Sequence, residues 1–268
     1  MKNTFGFIGT GNMGGALARA AARAMDHDAI FLSDRAAEKA QALADSLGCK
    51  ILSVEETART CGYIFLGVKP QVIAKVLAQI GPVLAGRTDE FVLVSMVAGV
   101  SIQDIRRMAG NDYPVIRIMP NTPVGVGSGV ILYDATENVK EETVRQFCEN
   151  MRFAGMLDRL DEHLIDAGSA VSGCGPAFVC QFLEALADGG VACGLPRDKA
   201  QEYAAYMIMG TAKLVLESGE HPAKLKDAVC SPGGSTIMGV KALEDGGLRS
   251  AVINAVLAAY QKTKELGK

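Results

Sequence analysis

The sequence predicts an α/β protein: a doubly wound parallel sheet over residues 1–160, followed by an all-helical lobe over residues 161–268. Three observations carry that prediction. Up to about Leu160, short β-rich apolar runs alternate with helical segments, the pattern of a sheet assembled from βαβ units. A glycine-rich turn stands directly between the first such run and the first helical segment. After Asp161 the strand signals stop, and Ala, Leu, Met and Glu recur at helical spacing almost to the C-terminus. A length of 268 residues also exceeds the usual domain of about 100–200 residues, which favours two lobes and a cleft.

The candidate strands are Thr4–Ile8, Ile30–Ser33, Tyr63–Val68, Phe91–Ser95 and Val115–Ile118, all apolar and rich in β-branched or aromatic residues. Between them, Met13–Met25, Ala36–Leu47 and Val72–Ile80 space their apolar residues three and four apart and read as helices. Weaker strand signals at Gly129–Tyr133 and Phe153–Leu157 flank a charged helix at Glu137–Met151. In the second lobe, punctuation at Gly173–Pro176, Gly194–Pro196, Ser218–Pro222, Ser231–Gly234 and Gly246–Gly247 separates helices such as Phe178–Cys193, Lys199–Leu216 and Leu248–Leu266. Their apolar stripes are broad for one partner each. Such faces bury either within one enclosed bundle or against a second subunit, and a dimer through this lobe is the expectation.

With 49% hydrophobic and 21% charged residues, the composition is that of a globular chain able to bury a sizeable core. A net charge of -3, with no Lys/Arg block, lacks the electrostatic footprint of a nucleic-acid binder. Seven cysteines form no C-x-x-C pair and leave one over, so they are expected as thiols in a reducing, cytoplasmic setting. No apolar stretch of about 18 residues or more is read, and neither export nor membrane insertion is expected. His27, His163 and His221 lie far apart without metal-ligand spacing, and no metal is expected.

The segment Phe5-Gly-Phe-Ile-Gly9-Thr10-Gly11-Asn12-Met13-Gly14 places G-x-G-x-x-G after a strand and at a helix start, the context of a Rossmann-type dinucleotide turn. Gly9 permits the tight turn, Gly11 lets backbone approach a pyrophosphate, and Gly14 allows the helix to pack on the strand. The second strand ends at Ser33-Asp34-Arg35, where such folds choose between a ribose hydroxyl and a 2′-phosphate. Asp34 suits the hydroxyl or merely caps the next helix; Ser33 and Arg35 suit the phosphate, and the reading leans to NADPH with NADH also accepted. Later strands end in Val68-Lys69-Pro70 and Met96-Val97-Ala98, at the carboxyl edge where open α/β sheets bind ligands. In the turn Arg117-Ile-Met-Pro120-Asn121-Thr122-Pro123, Asn121 and Thr122 either line a cleft or satisfy turn backbone.

Two hydroxyl-bearing, glycine-rich helix starts occupy the second lobe: Ser172-Gly-Cys174-Gly-Pro176 and Cys230-Ser231-Pro232-Gly233-Gly234-Ser235-Thr236. Exposed N–H groups, the positive end of the helix dipole and hydroxyls make each a receptor for a carboxylate, and otherwise an ordinary cap. The second is the stronger candidate. Asp161, Glu162 and Asp166 read as helix-start acids, with Glu162 able to reach the cleft.

In that order, Phe-Ile-Gly9-x-Gly11-Asn-Met, Val68-Lys-Pro, Ala98-Gly-Val, Arg117-Ile-Met-Pro-Asn-Thr-Pro, Ser172-Gly-x-Gly-Pro-Ala, Gly194-Leu-Pro and Ser231-Pro-Gly-Gly-x-Thr236 resemble the pyrroline-5-carboxylate reductases from end to end. The resemblance implies a Rossmann domain and a helical domain that interlocks between two subunits, often in a ring of dimers. It implies NAD(P)H at the glycine turn and at the Val68 and Met96 turns, and the substrate carboxylate at Ser231 through Thr236. It also implies Thr236 beside the ring nitrogen as the catalytic hydroxyl, and Glu162 at the substrate pocket. Two positions depart from the family: Cys174 stands where Ser is common, and Val54 where an Asn often helps hold the adenosine.

A protonated imine is already an electrophile, so its reduction needs orientation more than a strong general acid, which fits motifs lacking His or catalytic Lys. The β-hydroxyacid dehydrogenases resemble this architecture but carry a catalytic Lys where Val179 stands here. Reduction of 1-pyrroline-5-carboxylate to L-proline is the expected activity. The alternatives are reduction of another cyclic imine acid or small oxo acid, and a non-catalytic NAD(P)-binding regulator.

Overall fold

The computed structural model describes residues 1–266. Eight strands form one sheet in the order β3-β2-β1-β4-β5-β6-β7-β8. They are β1 (Phe5–Ile8), β2 (Ile30–Ser33), β3 (Lys50–Ile51), β4 (Tyr63–Leu66), β5 (Val92–Ser95), β6 (Val115–Pro120), β7 (Gly129–Ala135) and β8 (Gly155–Arg159). Every residue of β1, β4 and β5 is buried, as expected of central parallel strands covered on both faces. Alternation along β1 divides the core. Phe5 and Phe7 face one layer, where Phe7 stacks on Phe65 at 4.3 Å and Phe5 lies 4.8 Å from Tyr63. Ile8 faces the other, with Ile64, Leu66 and Leu93.

The helices of this unit are α1 (Asn12–Ala22), α2 (Ala37–Leu47), α3 (Val54–Thr60), α4 (Pro70–Ala85), α5 (Ile102–Ala109), α6 (Glu141–Met151) and α7 (Glu162–Ser172). Leu17, Leu43 and Phe147 cover the aromatic layer, and Ile73, Leu77, Ile80 and Ile105 the aliphatic one. The strand order reverses between β1 and β4, so their carboxyl ends open a crevice at the topological switch point.

Several sequence expectations need correction. The sheet is parallel except between β6 and β7, which pair antiparallel because the short 3-10 turn Thr122–Val126 is too brief for a crossover helix. Strand β3 and helices α3 and α5 are absent from the sequence reading, being too short to show a clear apolar period. Helix α4 runs past the expected Ile80 to Ala85 with Pro82 inside it, and Val68 lies beyond the end of β4.

A second compact unit comprises Gly175–Ala258, while the described residues 259–266 group with the sheet unit. It contains α8 (Gly175–Ala192), α9 (Arg197–Ser218), α10 (Pro222–Ala228), α11 (Ser235–Asp245) and most of α12 (Leu248–Leu266). Among its described residues the buried apolar side chains are Ala187, Ala200 and Ala204, whereas Val179, Phe182, Met209, Leu214, Val252 and Leu257 are exposed. The stretch Glu162–Ala192 also proves long and apolar enough, by length and composition, to cross a membrane, at a mean hydropathy of 1.3. The sequence expectation missed it because Gly173–Pro176 reads as a break, although α7 and α8 follow one another almost without interruption.

Candidate coenzyme and substrate site

The glycine turn is built by close approach of three strand ends. Gly9 adopts φ +99, a conformation reserved in practice for glycine, and a Cβ there would lie 2.5 Å from the Gly67 carbonyl oxygen. Its N–H donates to the Ser33 carbonyl at 2.7 Å, and the Gly67 N–H donates to the Ile8 carbonyl at 2.8 Å. A Cβ on Gly14 would stand 2.1 Å from the Gly9 carbonyl oxygen, so that glycine serves helix-on-strand packing. Gly11 differs. A Cβ there would meet nothing within 4 Å, which leaves open space over the turn for a ligand. Gly11 is also the N-cap of α1 and no side chain caps it, so the N–H groups of Asn12 and Met13 point outward from the positive end of the helix. Such a cradle fits a pyrophosphate.

Asp34 is the residue whose part in this turn the sequence left undecided. Its Oδ2 accepts from the Thr10 N–H at 2.6 Å and the Thr10 hydroxyl at 3.1 Å, while Oδ1 accepts from the Ala36 N–H at 2.9 Å. Partial burial pushes the carboxyl up, but the hydrogen bonds from Ala36 and Thr10 outweigh it and hold Asp34 below the ordinary carboxylate range. It therefore closes a turn ahead of α2 and braces the glycine turn in its ionised form. Ser33 is buried and Arg35 is exposed.

At the edge of the sheet, Val68 packs against the aliphatic core, Lys69 is exposed, and Pro70 begins α4, where a missing N–H costs nothing. The Val97 side chain is buried, so its backbone is what it presents, flanked by half-buried Met96 and Ala98. This turn closes onto α5 through a capping box in which the Asp104 N–H donates to Ser101 Oγ at 3.1 Å. Glu162 Oε1 accepts from the next orphan donor, the Ile102 N–H, at 2.6 Å, and from Arg117 at 3.3 Å. Arg117 is 3% exposed in the middle of β6 and donates to Asp166 at 2.5 Å; its Nε has no partner among the described residues. Sequence reasoning assigned Arg117 no role. Its signal was the acid pair Glu162 and Asp166, four apart on one face of α7, opposite a cation in an apolar strand.

Ser172 lies half-buried at the end of α7, where its hydroxyl donates to the Gly168 carbonyl at 3.0 Å. In the helical unit, Gly233 has φ +70 and the Gly234 N–H donates to the Ser231 carbonyl at 3.0 Å. A Cβ on Gly234 would fall 2.4 Å from Ser231 Oγ, so the hydroxyl sits over that glycine. Gly234 caps α11 without a side-chain hydrogen bond, and Ser231, Ser235 and Thr236 are exposed. The first-turn N–H groups and three hydroxyls of this turn form a preformed array of donors for an anion.

Comparison with known proteins adds a family context. The family model described as pyrroline-5-carboxylate reductase dimerisation matches residues 162–266, and that of the coenzyme F420-dependent NADP oxidoreductases matches residues 4–99. The chain is 45% identical over 214 residues to the pyrroline-5-carboxylate reductase of Synechocystis sp., covering 80% of this chain and 78% of that one. To the Escherichia coli pyrroline-5-carboxylate reductase it is 39% identical over 271 residues, covering 100% of each. The crystal structure of Plasmodium falciparum pyrroline carboxylate reductase with NADP bound is similar at TM-score 0.90 and 33% identity, covering 100% of this chain and 99% of that one. A ketol-acid reductoisomerase from an uncultured archaeon, at 15% identity and TM-score 0.66, shares the fold alone.

Proposed function

The chain belongs to the pyrroline-5-carboxylate reductase family, and as a member it is an oxidoreductase that reduces 1-pyrroline-5-carboxylate to L-proline with a nicotinamide coenzyme, the last step of proline biosynthesis; we propose that it does so with the imine acid held at the Ser231–Thr236 helix start and the coenzyme at the glycine turn. The observation that carries this reading is the uncapped start of α11, whose donors have no side-chain acceptor of their own and which is therefore ready for a carboxylate. When bound, the coenzyme supplies a hydride to the carbon of the C=N bond.

The chain's residues do the rest by binding and orientation. Backbone N–H groups of Asn12 and Met13 hold the pyrophosphate above Gly9, Thr10 and Gly11, while Val68, Lys69, Pro70, Met96, Val97 and Ala98 border the coenzyme along the sheet edge. Ser231, Gly233, Gly234 and Ser235 bind the substrate carboxylate, and the Thr236 hydroxyl hydrogen-bonds the ring nitrogen. Ser172 lines the pocket, and Glu162 stands at its border while it ties α7 to the start of α5. NADPH is the proposed reductant in preference to NADH; the exposed guanidinium of Arg35 after β2 and the NADP-bound similar structure support this. Self-association follows from the dimerisation region, and the proposed form is an interlocked dimer, repeated as a ring of dimers, in the cytoplasm.

The test is oxidation of NADPH and NADH by the purified protein with 1-pyrroline-5-carboxylate and with piperideine carboxylate. Turnover with the five-membered imine is expected, and Thr236→Ala is expected to lower kcat about tenfold or more with the fold intact. No oxidation with the five-membered imine, or unchanged turnover in the variant, refutes the corresponding assignment.

A further inference from the structure

Asn121 is 7% exposed, and both ends of its side chain are used: Oδ1 accepts from the Val130 N–H at 2.8 Å, and Nδ2 donates to the Ser172 carbonyl at 2.9 Å. The Ser172 carbonyl needs that donor for a reason written in the sequence. Four residues on stands Pro176, which has no N–H with which to close the helical hydrogen bond. The helical pattern is already displaced at this point, because the N–H groups of Gly173 and Cys174 both converge on the Ser169 carbonyl, at 2.8 and 3.0 Å. The carboxamide of a residue 51 positions earlier thus stands in for the missing backbone donor.

We propose that Asn121 is a positioning residue for the reduction: by supplying the hydrogen bond that Pro176 cannot, it fixes the Ser172 turn on the end of β6 and the start of β7. This rests on the functional reading above, in which Ser172 faces substrate. The Ser172 hydroxyl donates to Gly168, so it offers lone pairs rather than a proton. Their direction follows the backbone that Asn121 holds. The Val130 bond alone would make Asn121 a brace of the β6–β7 hairpin, whereas the Ser172 bond links that brace to the pocket.

A double-mutant cycle separates these roles. Wild type, Asn121→Ala, Pro176→Ala and the double variant are assayed with 1-pyrroline-5-carboxylate and NADPH, with coenzyme Kd measured by titration. Asn121→Ala is expected to lower kcat/KM for the imine about tenfold, with coenzyme Kd changed by less than about twofold. In the Pro176→Ala background, residue 176 again has an N–H for the Ser172 carbonyl, and the same change is expected to cost less than about threefold. Equal losses in the two backgrounds, or a folded Asn121→Ala protein as efficient as wild type, overturn the proposal. Should Asn121→Ala fail to fold, a folded and active double variant supports the proposal and an unfolded one overturns it. A wild type without activity on the imine sinks the functional reading itself, a result distinct from any outcome of the cycle.

Discussion

Asp34 shows how one side chain can brace a binding turn through its own hydrogen bonds. Three hydrogen bonds from Thr10 and Ala36 favour its ionised form, against the opposing effect of partial burial. Because the folded state lowers this pKa, the stabilisation is present above the unfolded carboxyl value of about 3.9 and is lost as pH falls through the folded one. Asp34→Asn is therefore expected to melt lower than wild type at pH 7, with the gap closing in acid as both proteins carry a neutral side chain; melts across that range check it, and a gap unchanged at the acid end refutes the account. The glycines of the same turn were legible residue by residue, since a positive φ at Gly9 and the packing of Gly14 are demands that the local motif states. Asp34 was not legible to the same degree. A ribose ligand and a helix cap both ask for the same carboxylate at the end of β2, and the bond to Thr10, 24 residues earlier, is a tertiary contact that neither reading contained.

Among the elements, α5 has the most instructive local chemistry. It is eight residues long, begins at Ile102 beyond the Met96–Ala98 turn, and holds its first turn through Ser101 and Asp104 with Glu162 on the Ile102 N–H. Ser101→Ala is expected to cost about 1 kcal/mol of stability, read in urea unfolding, because Glu162 continues to satisfy one of the orphan donors. The signals Ser53-Val-Glu-Glu56 and Ser101-Ile-Gln-Asp104 lay in the sequence, and both helices they begin passed unread because each is too short to display its apolar period. The long elements were read correctly in kind, while their ends moved: the charged segment begins its helix at Glu141 rather than Glu137, and the last strand begins at Gly155 after a 3-10 turn. Ends depend on caps and on what the neighbouring element covers, whereas the existence of an element depends on a period repeated over several turns.

For the whole molecule, the two units differ in how much they bury. The sheet unit encloses two apolar layers, but the helical unit leaves an apolar groove of about 540 Å³ lined by Phe178, Val179, Phe182, Ala185, Leu248, Ala251, Val252 and Ala255. Exposed apolar surface of this kind is what a second copy would cover, and the groove lies within residues 162–266, which the dimerisation family model matches. Phe182→Glu is expected to weaken self-association at least about a hundredfold, the effect of burying an unpartnered charge, with light scattering reporting the shift to monomer; an unchanged mass would place the interface elsewhere. The sequence by itself determined the alternation of the longer strands and helices, the glycine turn, and the two hydroxyl-bearing helix starts, because each is imposed by neighbours within a few residues through φ, ψ and the apolar period. Tertiary structure alone decided that β7 runs against β6, that Arg117 meets Glu162 and Asp166, and that Asn121 answers the donor missing at Pro176. Those pairings join residues 45 to 51 positions apart in the case of the side chains, and burial, which removes water as the competing partner, is what selects them.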